Sequence, residues 1–344
     1  MATQAVRTLW AGSGLAQRDP GHLPATPRRG SCRRSSLGSA HAGPVPLPQP
    51  GAPPGPTSTE GGILRPEQLA RHVALTRTPC DTTLARYVEH HWTLAWDLPD
   101  GVHHRSETLP HPACHLTVEH GAGRPEVGAD PVVLTGVVTR RFEVDVRGRA
   151  WVHGVKFRPG GLAALTGLDA RTLADRTVPA AGLVPPDVVS AVRELAPGTP
   201  TDLASACVDA ALAPHVDAAG DDPAYDLLLG LVADVLGDRS VLRIDDLERR
   251  AGVPRRRLER LFSRYVGASP KWVLARYRMH DVVAALDAGH DGSLADLAAE
   301  HGWYDQAHFT RDFTALVGVP PGAYVRRGAA GRSRADGSAV FHGD

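Results

Sequence analysis

The chain has 344 residues, 42% hydrophobic and 22% charged, with 38 basic side chains against 38 acidic ones. That length suggests two domains with ample apolar material for a core. No run approaches the ~18 apolar residues that a membrane span needs, and a zero net charge removes any whole-protein electrostatic argument for a polyanionic partner. The cysteines Cys32, Cys80, Cys114 and Cys207 are scattered and form no C-x-x-C pair. A chain this long needs no disulfide staples, so they read as reduced thiols of a cytoplasmic protein.

Residues 1–62 read as a disordered Pro/Arg-rich tail. The stretch Gly43 to Pro56 is dense in proline and cannot bury enough apolar surface to offset its ordering entropy. The N-terminus has no continuous apolar segment of the secretory type. Residues 63–195 read as a β-rich regulatory domain. Tyr87 to Trp96, His115 to Glu119, Val132 to Thr139, Phe142 to Val146 and Trp151 to Phe157 carry alternation or β-branched runs, as short antiparallel strands do. Arg158-Pro159-Gly160-Gly161 is a turn. Residues 196–236 read as a helical linker, broken between Pro214 and Pro223. A second tail is expected over 328–344. The fold class is α+β: a β-rich, sensor-like N-terminal domain followed by an all-α C-terminal domain, 237–327.

Two units of one shape lie in that last domain. In the first, Ile244 to Arg250 is a helix with Asp245 and Asp246 in its first turn, where the helix dipole favours anions. Gly252 suits a turn needing positive φ, and Pro254 the start of the next helix. That helix, Arg255 to Val266, sets Leu258, Leu261, Phe262 and Tyr265 on one face. The second unit repeats the pattern: Leu294 to Glu300, a turn at His301 to Tyr304, Asp305 as N-cap, then Gln306 to Val317 with Phe309, Phe313, Leu316 and Val317 inward. Pro270 to Leu286 reads as one amphipathic helix between them. A helix-turn-helix sets its second helix in the major groove, where base edges offer distinct hydrogen-bonding patterns. From Arg249 to Arg278 ten basic residues face one acid, Glu259, a net +9. From Leu294 to Gly318, Arg311 alone opposes Asp296, Glu300, Asp305 and Asp312, a net −3. The first unit therefore carries the electrostatic footprint.

Residues 240–327 resemble the AraC-type regulators. The resemblance rests on Gly252 with Leu258, Leu261 and Phe262, on Gly267 followed by Pro270, and above all on the run Gly302 to Phe313 closing with Gly318 to Tyr324. It implies a seven-helix domain that reads two adjacent major-groove segments of double-stranded DNA. On those residues the expected readers are Arg256 and Arg260 with Glu259 in the first unit, flanked by Arg255, Arg257 and Arg264. In the second they are Gln306, His308, Thr310 and Arg311. Residues 79–185 resemble an uncharacterised regulatory domain attached to such units, by Tyr87 to Trp92 and Val155 to Gly161. The function expected is a sequence-specific, non-enzymatic transcriptional regulator, gated by a small-molecule effector or a partner at the N-terminal domain. RNA polymerase and a second copy of the chain are further partners to expect; no cofactor or membrane is.

A competing reading draws on His90, His91, His103, His104, His111, His115 and His120. With Cys114 and Glu119 they could bind a metal, or Cys114 could accept an alkyl group if a base made it a thiolate. The spacing matches no ligand pattern, and His90 and His91 point to opposite faces of a strand. The reading without a metal is preferred. Trp92, Trp96 and Trp151 could line a pocket or form the core, and the turn at Arg158 could bind an anion or simply end a strand.

Overall fold

The computed structural model describes residues 57–59, 61–121 and 129–327. Expectations for the rest of the two tails lie outside the described residues. Nine strands lead: β1 (Ile63–Leu64), β2 (Ala74–Thr78), β3 (Val88–Asp97), β4 (His103–Thr108), β5 (His115–His120), β6 (Val132–Thr135), β7 (Phe142–Arg147), β8 (Arg149–Phe157) and β9 (Thr177–Pro179). The helices are α1 (Pro66–Leu69), α2 (Gly161–Thr166), α3 (Pro186–Arg193), α4 (Thr201–Ala219), α5 (Pro223–Gly237), α6 (Ile244–Ala251), α7 (Arg255–Val266), α8 (Pro270–Asp287), α9 (Leu294–Glu300) and α10 (Gln306–Val317). A last helix covers residues 321–327. Among the described residues no helix is long and apolar enough to cross a membrane.

The strands form a six-stranded sheet, β2-β3-β8-β5-β6-β9, and a three-stranded one, β1-β4-β7, both antiparallel. Period-two alternation gives the larger sheet two chemistries. Trp92, Leu94 and Trp96 of β3 and Ala150 and Val152 of β8 pack with Val144 and Val146 of the small sheet. Trp151, Val155 and Phe157 of β8 turn the other way, into a core shared with α2 to α5. Two buried imidazoles also sit on the larger sheet. His91 Nε2 lies 2.7 Å from the Asp209 carboxylate of α4, and His153 Nδ1 lies 3.0 Å from Thr93 Oγ1.

Three expectations need correction. The β-branched run from Val132 was read as a strand to Thr139, but β6 ends at Thr135. Gly136 leaves the ladder and donates to Arg176 O at 3.0 Å, with its Cα pressed on Leu173. A break was expected from Pro214 onward, but α4 runs through this exposed proline to Ala219. The missing N–H there is one bond among many, and the chain turns only at Gly220, before Asp222 caps α5 by accepting from Ala224 N and Tyr225 N. Thr57 to Thr59, inside the stretch read as a solvated tail, are hydrogen-bonded into the interior, and Thr57 is 1% exposed.

The main core does not stop at the linker. It continues from the larger sheet through α4 and α5 into Leu247, Leu258, Phe262, Tyr265 and Tyr277. A second cluster joins Leu64 and Leu109 to α8, α9 and α10 through Met279, Leu297, Phe309 and Phe313.

Candidate nucleic-acid interface

Helix α7 is built to show one face and bury the other. Gly252 takes φ 62° after α6, a conformation that costs glycine nothing, and Pro254 precedes the first turn of α7. The Asp246 carboxylate accepts from the Leu242 and Arg243 amides at 3.0 and 2.8 Å, closing the start of α6. Leu258 and Phe262 are fully buried, while Arg255, Arg256, Arg257, Glu259, Arg260 and Arg264 are all exposed. Arg255 is held by Glu259 one turn on, at 3.1 Å, and Arg264 lies over the Tyr265 ring at 5.6 Å. Among the described residues, Arg256, Arg257 and Arg260 have no acidic partner, so their guanidinium groups stand ready for phosphate or base edges.

The net +9 counted from Arg249 to Arg278 overstates what faces outward. Arg276 is 1% exposed. It stacks on Trp272 at 4.6 Å and donates to Thr139 O at 3.0 Å, and burial lowers its pKa to about 10, still charged at neutral pH. Arg278 covers Trp303 at 5.0 Å and donates to His301 O and Gly302 O. Arg250 is bound by Asp234 and Asp238, and Arg249 by Asp246. These charges hold the domain together.

The second unit has the same frame and different chemistry. Asp305 caps α10 by accepting from His308 N at 2.7 Å. Phe309, Phe313 and Val317 are buried and Leu316 is half-buried. Gln306, His308 and Arg311 are exposed; Thr310 is half-buried and accepts with its carbonyl from Thr314 Oγ1. His308 Nε2 lies 3.2 Å from Asp312, whose carboxylate also accepts from Trp303 Nε1 at 2.9 Å. The acids that make this half negative therefore have structural tasks: capping, and pinning the tryptophan of the turn. Tyr304, 93% exposed beside them, was read only as part of that turn.

Both units dock on the β-rich region. The Arg158 to Gly161 turn forms no open anion nest. Gly160 takes φ 80°, and a Cβ on it would come within 2.6 Å of Leu228 and 3.0 Å of Tyr265. Tyr87, Tyr225 and Tyr265 stack in series at 5.7 and 6.0 Å, and Tyr265 Oη donates to Asp222. Gly267 closes α7 against the Ala170 carbonyl. Trp272 and Arg276 of α8 both donate to Thr139 O. At the far end, Arg141 of the β6–β7 connection meets Gly318. In the sequence the Gly160–Gly161 pair read only as a turn, and nothing there announced this docking.

The competing chemistry finds no support in the geometry. Cys114 is buried, and desolvation pushes its thiol up to about 12, which disfavours thiolate. Burial lowers His90 to about 4, His280 to about 3 and His111 well below the ordinary imidazole range. Among the described residues no three His, Cys, Asp or Glu side chains converge as metal ligands. His103 and His104 lie on the small sheet, remote in topology from His120, which meets Leu195 O at 2.9 Å. Trp92 lies inside the sandwich, its Nε1 donating to His115 Nδ1 at 3.2 Å, while Trp96 and Trp151 edge an open groove of about 550 Å³.

Two family models match the chain. One, a helix-turn-helix domain, covers residues 247–327, and the other, a domain of unknown function (DUF6597), covers 76–179. Among solved structures the chain is similar to ToxT from Vibrio cholerae at 11% identity and a TM-score of 0.31, over 74% of this chain and 96% of that one. A second ToxT structure, bound to (E)-4-(8-methylnaphthalen-1-yl)but-3-enoic acid, matches at 12% identity and 0.31, over 74% and 97%. Likeness at that TM-score bears on neither fold nor function. The two family matches bracket the β-rich region and the paired helix-turn-helix units, and with them the chain is a DNA-binding transcriptional regulator carrying an AraC-type helix-turn-helix domain behind a DUF6597 domain.

Proposed function

We propose that α7 supplies most of the affinity for double-stranded DNA and α10 a smaller, sequence-reading share, under control of the β-rich domain. The observation that carries this is the outward arginine set of α7, whose back is clamped to that domain through Tyr265 and Gly267. Arg255, Arg256, Arg257, Glu259, Arg260 and Arg264 are the first-unit contacts; Gln306, His308, Thr310 and Arg311 are those of the second. Residues 63–195 sense a small molecule or partner, residues 196–236 connect, and 237–327 bind DNA. Gating requires that the effector bind one arrangement of the two regions better than another.

The protein works in the cytoplasm and is not an enzyme; RNA polymerase and a second copy of the chain are its other partners. A binding map on genomic DNA with the purified full chain tests this reading. Enrichment of a shared site that Arg256→Ala and Arg260→Ala both weaken is expected. Uniform binding across the genome, unchanged in either variant, would remove the groove-reading assignment.

A further inference from the structure

The turns that lead into α7 and α10 differ by one residue. In the first unit Val253 alone stands between the positive-φ Gly252 and the N-cap Pro254; in the second, Trp303 and Tyr304 stand between Gly302, at φ 77°, and the N-cap Asp305. Val253 packs against the main core, and Trp303 takes that task in the second unit. It is 6% exposed, meets Phe309 edge-on at 5.3 Å and donates from Nε1 to Asp312 at 2.9 Å. Tyr304 is therefore the added residue, and packing does not use it. It is 93% exposed, and among the described residues its phenol has no hydrogen-bond partner.

The backbone beneath it is held in place. Arg278 covers the Trp303 ring at 5.0 Å and donates to His301 O and Gly302 O, and Trp303 N donates to Ala298 O at 2.9 Å. A side chain anchored at its base and open at its tip needs little further ordering when the tip is bound. We propose that Tyr304 is a DNA contact, donating its phenolic O–H to a backbone phosphate beside the segment that α10 reads. The inference rests on the reading of α10 as a helix that enters the groove, and it names the contact that anchors the second unit.

The position and the chemistry agree. A reading helix enters the major groove with its N-terminal residues against the bases, so the residue just ahead of its N-cap rides at the groove rim, where the phosphates lie. The helix end itself is closed to phosphate, because the Asp305 carboxylate already accepts from His308 N. Asp296, Glu300, Asp305 and Asp312 make this half net negative with Arg311 as its one cation. A contact to phosphate must there come from a donor that those acids do not capture. A phenol carries no charge for them to pair with, and it is among the groups that bind phosphate oxygens. The flanking Gly302, Asp305 and Gln306 are exposed and offer no apolar surface that would extend the ring into a protein interface.

The full chain first selects its own site from a random library of duplexes, and that duplex, fluorescently labelled, is the probe. Affinity against salt is measured for the parent and for Tyr304→Phe, with circular dichroism verifying the fold of each. Tyr304→Phe removes only the hydroxyl and should weaken binding about tenfold, as loss of a hydrogen bond to a charged acceptor does. The salt slope should stay at the parent's, since a neutral donor releases no counterion, and the variant should select the parent's consensus, since a phosphate contact carries no sequence information. Each phosphate of the second half-site is then replaced in turn by an uncharged methylphosphonate. At one position the replacement should weaken the parent about fivefold more than it weakens Tyr304→Phe, the signature of two groups in contact. Parent-like affinity of Tyr304→Phe, a shallower salt slope, an altered consensus, or equal losses in both proteins at every phosphate would each overturn the proposal. Failure of the parent to select any consensus removes the groove-reading assignment and the proposal with it. A consensus that Tyr304→Phe binds as tightly as the parent removes the proposal alone.

Discussion

The two helix-turn-helix units share a frame and divide the chemistry. Each has a short helix, a turn with a positive-φ glycine, and a twelve-residue second helix with buried aromatic side chains. In α7 the outer face carries arginines with few partners, whereas in α10 the acids are occupied by the cap and by Trp303. The apolar pattern fixes how the helix packs, and the outer positions are free to set how strongly each unit is drawn to a polyanion. The units also differ in what supports them. Leu258 belongs to the core of the larger sheet, and Phe313 to the separate cluster with Leu64 and Leu109.

That difference in support gives the largest expected effects. Phe313→Ala should cost about 3–5 kcal/mol and Leu258→Ala about 2–5 kcal/mol, as truncations of fully buried side chains do. They should fail in different places. Leu258→Ala should lower the unfolding midpoint of the β-rich region together with the helices, because they share one core. Phe313→Ala should release α9 and α10 first and leave amide-exchange protection of β3 and β8 near the parent's. Loss of protection in β3 and β8 on Phe313→Ala, equal to that from Leu258→Ala, would mean the clusters act as one.

The helical part was legible because its signals are local. The bounds of α6, α7, α9 and α10 follow from apolar spacing and from caps such as Gly252 after α6 and Asp305 before α10, which act within a few residues. The outward arginines were legible as charges, but not which of them are spent on the fold. Trp272 stands one turn before Arg276 on α8, a neighbour at i, i+4, but nothing next to Arg276 in sequence announces Thr139 O across from it, and Arg250 answers to Asp234 and Asp238 at the end of α5. The reach of Thr57 to Thr59 was hidden for the same reason. Their partners lie from 31 to 221 residues away in sequence, and a composition reading sees only the prolines before them. Pro214 misled in the opposite direction, since a strong local breaker on a solvent face is tolerated when both ends of the helix are packed.

A pH titration sharpens the comparison at α8, which links the two units. Burial lowers His280 to about 3 and drives His111 well below its usual range. Below the unfolded value of about 6.5 the unfolded chain binds protons that the folded chain does not, so stability rises with pH and falls on acidification. For His280 the loss runs from about pH 6.5 down toward its folded value. Between pH 7 and pH 5 it amounts to about 2 kcal/mol, at 1.36 kcal/mol per unit. His280→Asn should therefore show a shallower fall of the denaturation midpoint over that interval than the parent does. Parallel profiles for the two proteins would mean that His280 is not held neutral.

The smallest effects fall on the outer faces, and they decide how the two units share the DNA. Arg260→Ala removes a guanidinium with no acidic partner among the described residues. As a phosphate contact its loss should lower the log–log salt slope by about 0.9; as a base contact it should cost about 1–3 kcal/mol at one position. Arg311→Ala acts on a helix whose neighbouring acids repel phosphate. It should therefore weaken discrimination at its own half-site and leave the salt slope nearly unchanged. Arg276→Met is the control that separates position from charge. It deletes a cation counted in the +9 stretch, but one that is 1% exposed and turned toward Thr139, so the slope should not move although stability does. Affinity measured against salt for the three variants, with circular dichroism verifying the fold of each, gives the ranking. A steeper change for Arg311→Ala than for Arg260→Ala would reverse the division of labour. An equal change for Arg276→Met would show that net charge, and not the face it occupies, sets the attraction.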